Sequence, residues 1–247
     1  MKKVILEDLK TIAYQEAWDL QEHLLKTGVD IKIKSSREKS FSKEIKNYLL
    51  ICRHPHVYTL GKHGKFAHLL LQEETLKERG IEFYKTNRGG DITYHGPGQL
   101  VVYPVLDLEQ FFTDLKQYMR FLEEAVILTL AEFGIKGERL PKSTGVWLDA
   151  EDPFKARKIC ALGVRCSRWI TIHGLALNIN TDLSYFNNII PCGIANKGVT
   201  SMQKELKRKL DEKKVQQIFT QKFAELFKAE IITAEKSLLN SSTEILI

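Results

Sequence analysis

The chain has 247 residues, 43% of them hydrophobic and 28% charged, proportions that fit a folded protein with a sizeable core and exclude a disordered or fibrous chain. No apolar run is long enough to span a bilayer. The opening MKKVILED has too short an apolar run for a secretory signal, and Glu7, Asp8, Glu16, Asp19 and Glu22 are too many acids for a transit peptide, so the cytosol is the expected location. A net charge of +6 and a pI of about 9.0 favour an acidic partner, nucleic acid or acidic protein, although the lysine excess over 204–214 reads first as a solvated helix face.

In chain order, Ile5, Leu9, Ile12, Ala13, Ala17, Leu20 and Leu24 recur at three- and four-residue steps, which predicts a helix over 5–25 with Gly28 as its stop. The Lys- and Ser-rich residues 29–46 read as a mobile loop. Residues 47–52 are a short apolar strand, 57–60 another, and 61–64 a turn. His54, His56, His63 and His68 lie close together in sequence, but no cysteine or clear carboxylate set accompanies them, so they read as ordinary loop histidines and no metal site is expected. A strand over 81–86 leads into RGGDITYHGPGQ, starting at Arg88, and a buried strand follows over 99–108. Residues 113–133 give a helix with Thr113 as N-cap, Gly134 as C′ residue, and a buried face that includes Leu115, Met119, Leu122, Val126 and Leu130. Short strands follow over 145–148 and 158–164, then a turn over 165–168 and a strand over 169–180. Gly174 within that last strand marks close approach of a backbone or ligand. Thr200 with Gln203 forms a capping-box pattern that opens a helix or helix pair ending at Phe227, and the tail beyond carries weak signals. Strands in the middle and helices around them, without regular βαβ alternation, predict an α+β fold on one mixed, mainly antiparallel sheet, as a single domain over 1–247.

Three stretches carry chemistry. The glycines of the Arg88 run permit backbone angles and close approaches that a Cβ blocks; the run is either an elaborate turn or a ligand-facing wall, and it lacks the lysine of a P-loop. Four cysteines occur, with no Cys-x-x-Cys pair. Cys52 and Cys160 sit in apolar strands and read as core, Cys166 lies in a basic turn and is undecided, and Cys192 stands in a turn between Pro191 and Gly193, where a thiol can be presented to a ligand or be an ordinary structural cysteine. Lys158 leads an apolar strand; such a lysine either snorkels outward or is held in a site, where it can activate a thiol or move a proton.

Together, RGGDITYHGPGQ from Arg88, KICALGVR from Lys158, HGLALNIN from His173 and IPCG from Ile190 resemble the ordered motifs of the octanoyltransferases of lipoate synthesis, relatives of the biotin and lipoate protein ligases. The resemblance spans residues 47–206. It implies the ligase-like fold, with a mixed sheet and flanking helices. It also implies a cysteine–lysine dyad in which Cys192 is the nucleophile and Lys158 lowers its pKa and moves protons. Carried over by motif, Arg88, Gly89, Gly90, Asp91, Ile92, Thr93, Tyr94 and His95, with Ala161, Leu162, Gly163, Gly174, Leu175 and Ala176, line the acyl site. The implied donor is octanoyl-acyl carrier protein, and the implied acceptors are lipoyl domains of 2-oxoacid dehydrogenases and the glycine cleavage H protein. No cofactor, nucleic acid or membrane is implied. The alternatives are an ATP-dependent lipoate or biotin ligase on the same fold, which needs no Cys192, and a basic nucleic-acid-binding module, for which no helix-turn-helix or aromatic-basic motif is found.

Overall fold

Residues 2–11 form a strand and not the start of the helix expected over 5–25. In the computed structural model, which describes residues 1–38, 40, 43–190, 198–234 and 237–239, β1 (Lys2–Thr11) is followed by α1 (Tyr14–Arg37) and β2 (Asn47–Arg53). β1 and β2 pair in parallel, Val4 beside Asn47 and Leu6 beside Leu49, so the chain opens with a βαβ unit that the sequence pattern did not reveal. Gly28 does not stop α1. A Cβ there would lie 2.6 Å from Ile170 Cδ1, so the missing side chain lets the helix lie close to the sheet. The predicted mobile loop is in part the last turns of this helix: Ile31 is buried, and Lys32 pairs with Asp107 and Glu109.

The large sheet runs β10 (Gly198–Val199), β8 (Arg157–Ser167), β9 (Ile170–Asn178), β6 (Gln99–Val105), β2, β1 and β11 (Ala229–Thr233), with β7 (Val146–Leu148) also paired to β8. Its centre is antiparallel, and the pairs β2–β1, β1–β11 and β10–β8 are parallel. A second sheet of β4 (Glu82–Lys85), β3 (Val57–Leu60) and β5 (Ile92–His95) corrects the expectation of a single one. The β8–β9 hairpin turns at Arg168 and Trp169, both at positive φ (46° and 65°), with Ser167 opposite Ile170. Two left-handed central residues match the right-handed twist of the strands, so 165–167, expected as turn, are the end of β8, and the turn is at 168–169.

One face of the large sheet carries α3 (Leu115–Ala131) and α5 (Glu212–Phe227), where Tyr118, Leu122, Val126, Phe219 and Phe223 are fully buried. Each such side chain contributes roughly 1.5–3 kcal/mol. The other face carries α1 through Leu9, Ala17, Leu20, Leu50 and Ile172. The N-cap of α3 is Asp114 and not Thr113; its carboxylate accepts the Gln117 N–H, and Leu115 in the first turn is exposed. Gly134, at φ +75°, closes the helix as expected, with the N–H groups of Gly134 and Ile135 returning to Ala131 and Leu130. Ser201, rather than Thr200, caps the short α4 (Met202–Leu206), and Asp211 caps α5. Leu238 and Leu239 of the tail pack against the core on the α1 face, and the Leu238 N–H donates to Glu7 of β1 at 3.3 Å. The short α2 (Glu73–Glu78) precedes β4.

Candidate functional site

Between the two sheets lies a cavity of about 440 Å³, within the range of small-molecule sites. Its construction begins with glycines. Gly163 on β8 faces the Arg88 run so closely that a Cβ would lie 2.6 Å from Gly89 O, and the Gly89 N–H donates to Val164 O at 2.9 Å. On its other side the run is zipped to the turn at 61–64, since Gly61, Lys62 and His63 donate their N–H groups to Asp91, Arg88 and Gly90 carbonyls. A Cβ on Gly61 would meet Gly90 O at 2.5 Å. Gly174 on β9 likewise admits the Val102 carbonyl, 2.1 Å from where its Cβ would stand, which is the close backbone approach expected of it.

Arg88 is buried, and its guanidinium forks onto Thr59: Nη2 donates to Thr59 O at 2.6 Å and Oγ1 at 2.9 Å, and Nη1 donates to Gly89 O at 3.1 Å. This ties the run to β3. Asp91 accepts the Ile92 N–H and pairs with His68 Nδ1 at 2.7 Å. Ile92 to His95, expected as loop, are strand β5, paired with β3.

Arg88, Gly89, Gly90, Asp91, Ile92, Thr93 and His95 line the cavity together with Ala161, Leu162, Gly163, Gly174, Leu175, Ala176 and Lys158. Tyr94 does not line it. That side chain is buried behind the wall in a stack with Tyr185 (4.9 Å between centroids) and hydrogen-bonded to His56; it belongs to the hydrophobic cluster on that side of β5 together with Ile92, which only borders the cavity, whereas Thr93 and His95 stand on the alternate face. Cys192, with Pro191 and Gly193 beside it in sequence, lies outside the described residues. The flanking Gly198 and Val199 do line the cavity, and they pair with Arg157 and Lys158. β9 is buried throughout, whereas residues 161–167 of β8, expected as core over 158–164, are only half-buried, and 161–164 of them line the cavity.

Lys158 is held from several directions. Its carbonyl accepts the Thr200 N–H at 2.9 Å. Thr200 O accepts from Asn178 Nδ2, and Asn178 Oδ1 accepts from Gln99 Nε2, which links the lysine strand to the end of the glycine-rich run. Next to it, Arg157 pairs in a fork with Glu205. The Lys158 ammonium lies 4.7 Å from the centroid of the Trp147 ring.

Tyr14, His95, Tyr103 and His173 also line the cavity. Burial holds the imidazoles neutral: His54 is depressed to about 4, His173 to about 3, with the Arg88 charge adding to the effect, and His95 lies well below its ordinary value. His54 bonds Ile12 O and Tyr103 OH, His56 stacks on Tyr185, His63 is exposed and His68 holds Asp91. Among the described residues no group of three or more His, Cys, Asp or Glu side chains could hold a metal ion. Cys52 and Cys160 are fully buried, and burial pushes both thiols up, away from nucleophilic use. Cys166 is half-buried.

The motifs did not single out Trp147, Met119, Phe186 or the 142–144 turn, all of which line the cavity. Gln99 and Asn178 sat within quoted motifs without an assigned part; an amide side chain inside an apolar strand was the available signal. The arrangement puts the Lys158 ammonium at a largely apolar cavity with glycine backbone in its wall, suited to a hydrophobic chain whose reacting end needs a proton donor.

Comparison with known proteins bears on the same residues. The family described as lipoyl protein ligase A/B catalytic domain matches residues 13–224. An octanoyltransferase of Christiangramia forsetii is 57% identical over 233 residues, covering 93% of this chain and 98% of its own length. One of Flavobacterium johnsoniae is 56% identical over 232 residues, 94% of this chain and 99% of its own. Among solved structures, the bipartite lipoate protein ligase of Thermoplasma acidophilum superposes with a TM-score of 0.73 at 17% identity, covering 98% of this chain and 90% of that one, which shows the fold. The chain belongs to the lipoyl protein ligase A/B catalytic-domain family, among its octanoyltransferases.

Proposed function

We propose that the protein moves an octanoyl group from the thioester of an acyl carrier protein to the lysine amine of a lipoyl domain, by way of an octanoyl thioester on Cys192. Support for octanoyl transfer comes from octanoyltransferase relatives at 56–57% identity over nearly the whole chain. The observation that carries the site reading is that Lys158 and the glycine-rich run line one apolar cavity, next to the strand on which the Cys192 segment ends.

In the first step the Cys192 thiolate attacks the donor's thioester carbonyl. Backbone N–H groups of the glycine-containing turns stabilise the oxyanion. As the carbon–sulfur bond to the carrier breaks, Lys158 gives its proton to the departing thiolate. The acceptor amine then attacks octanoyl-Cys192, the bond to Cys192 sulfur breaks, and Lys158 takes up the proton the amine loses. One thioester and one amine become one thiol and one amide, a downhill exchange that needs no ATP. Leu162, Leu175, Ala161 and Ala176 provide apolar wall for the chain, and at roughly 0.8 kcal/mol per buried CH₂ the depth of that wall selects chain length.

The test is intact-protein mass spectrometry after incubation with octanoyl-acyl carrier protein without ATP. The expected adduct is lost in Cys192→Ser and kept in Cys160→Ser. Transfer to the lipoyl domain without any wild-type adduct rules out the covalent route. Transfer that requires ATP makes the protein a ligase.

A further inference from the structure

We propose that Trp147 is a positioning residue for Lys158, its indole face seating the ammonium inside the cavity. This inference rests on the reading of Lys158 as the proton-moving partner of Cys192. The two residues are cross-strand partners, and the pairing slips by one residue between Val146, opposite Cys160, and Trp147, opposite Lys158. That slip sets the indole and the lysine side by side, with Nζ 4.7 Å from the ring centroid, inside the range at which a cation is attracted to an aromatic face.

The seat is built to stay in place. Trp147 is 3% exposed. Its backbone is held by β8 on one side and on the other by Glu138, whose N–H and carbonyl exchange hydrogen bonds with it at 2.8 and 2.9 Å. The lysine stem passes over Gly145, where a Cβ would stand 3.4 Å from Lys158 Cε and 2.5 Å from Cys160 O. Gly145 is at φ +110°, and its N–H donates at 3.0 Å to Glu123 Oε1, a buried carboxylate that also pairs with Arg120 and Arg139. Among the described residues, charged and titratable groups near the lysine include Glu123 from α3, Lys142 from the turn before β7, Cys160 on its own strand, and Arg157 beside it with its partners Glu205 and Asp149. An aromatic face attracts a cation at this distance and so holds the ammonium in the cavity.

The experiment measures the rate of octanoyl-cysteine formation against pH for wild type, Trp147→Leu, Trp147→Phe, and protein with fluorinated tryptophan installed at 147, which keeps the indole shape but weakens its π face. The alkaline limb of that profile moves down by about one pH unit in Trp147→Leu, a tenfold change. Phe restores part of that shift, and the fluorinated ring produces an intermediate one without loss of thermal stability. A purely structural part for Trp147 lowers the plateau or the melting temperature and leaves the limb in place, and overlapping limbs across the four proteins overturn the proposal. Lys158→Ala separates the two readings. Normal acylation in that variant removes the dyad itself, whereas lost acylation with unmoved limbs in the tryptophan series leaves the dyad standing and removes only the part given to Trp147.

Discussion

Replacing Gly163 by alanine tests the construction of the cavity wall. The new Cβ stands 2.6 Å from Gly89 O, so the glycine-rich run must retreat by roughly 0.8 Å to reach an ordinary contact of 3.4 Å. The run cannot move freely. The Arg88 guanidinium fastens it to Thr59 on β3, and three N–H groups of the 61–64 turn hold its carbonyls. The same retreat stretches the 2.9 Å bond from Gly89 N–H to Val164 O beyond useful length. Overpacking contributes about 1–3 kcal/mol and the lost hydrogen bond about 1, for a total destabilisation of about 2–4 kcal/mol. In a chain of this size that is a fall in melting temperature of roughly 4–16 °C. Gly89→Ala and Gly198→Ala, whose nearest neighbours would stand at 3.3 and 3.4 Å, are the controls, expected within about 1 kcal/mol of wild type. Thermal and urea unfolding are read beside the octanoyl-transfer rate, which falls in Gly163→Ala because the wall moves. If Gly163→Ala melts with the two controls and transfers at the wild-type rate, the close approach of run and strand is not what shapes the cavity.

Two further outcomes follow from buried charge and buried imidazole. Glu123→Gln removes the carboxylate shared by Arg120, Arg139 and the Gly145 N–H; urea denaturation should show a loss of about 2–4 kcal/mol, and a loss below about 0.5 would mean that the arginines need no partner there. His54, His95 and His173 are all held below their ordinary pKa, first by burial. Each is neutral when folded and takes up a proton when unfolded below about pH 6.5, so its contribution is complete above that pH and is lost as the pH falls toward 4. Three such groups give a slope approaching roughly 4 kcal/mol per pH unit near pH 5, and stability independent of pH between 7 and 5 would refute their buried neutral state.

How readable each element was depends on how local its determinants are. Helix α3 was legible because its apolar spacing, its polar start and the left-handed Gly134 all lie within one continuous stretch. Strand β1 was not. Ile5, Leu9 and Ile12 fall by coincidence at helical steps, and what makes residues 2–11 a strand is pairing with residues more than 40 positions away in β2 and more than 220 away in β11. Gly28 was misread for the same reason: its meaning lies in Ile170, across the packed interface and not along the chain.

By itself the sequence determined the α+β class, the glycines and polar residues of the ordered motifs, and the octanoyltransferase family, because these reside in residue identities at fixed short spacings. The tertiary structure decided which of those residues share a wall. It turned Tyr94 behind the cavity while keeping Thr93 in it, through the alternation of a strand that the glycine-rich run had concealed. It set Trp147 against Lys158 through a one-residue slip between β7 and β8. Register between strands is a property of two segments at once, fixed by their hydrogen bonds and packing, and neither segment carries it alone.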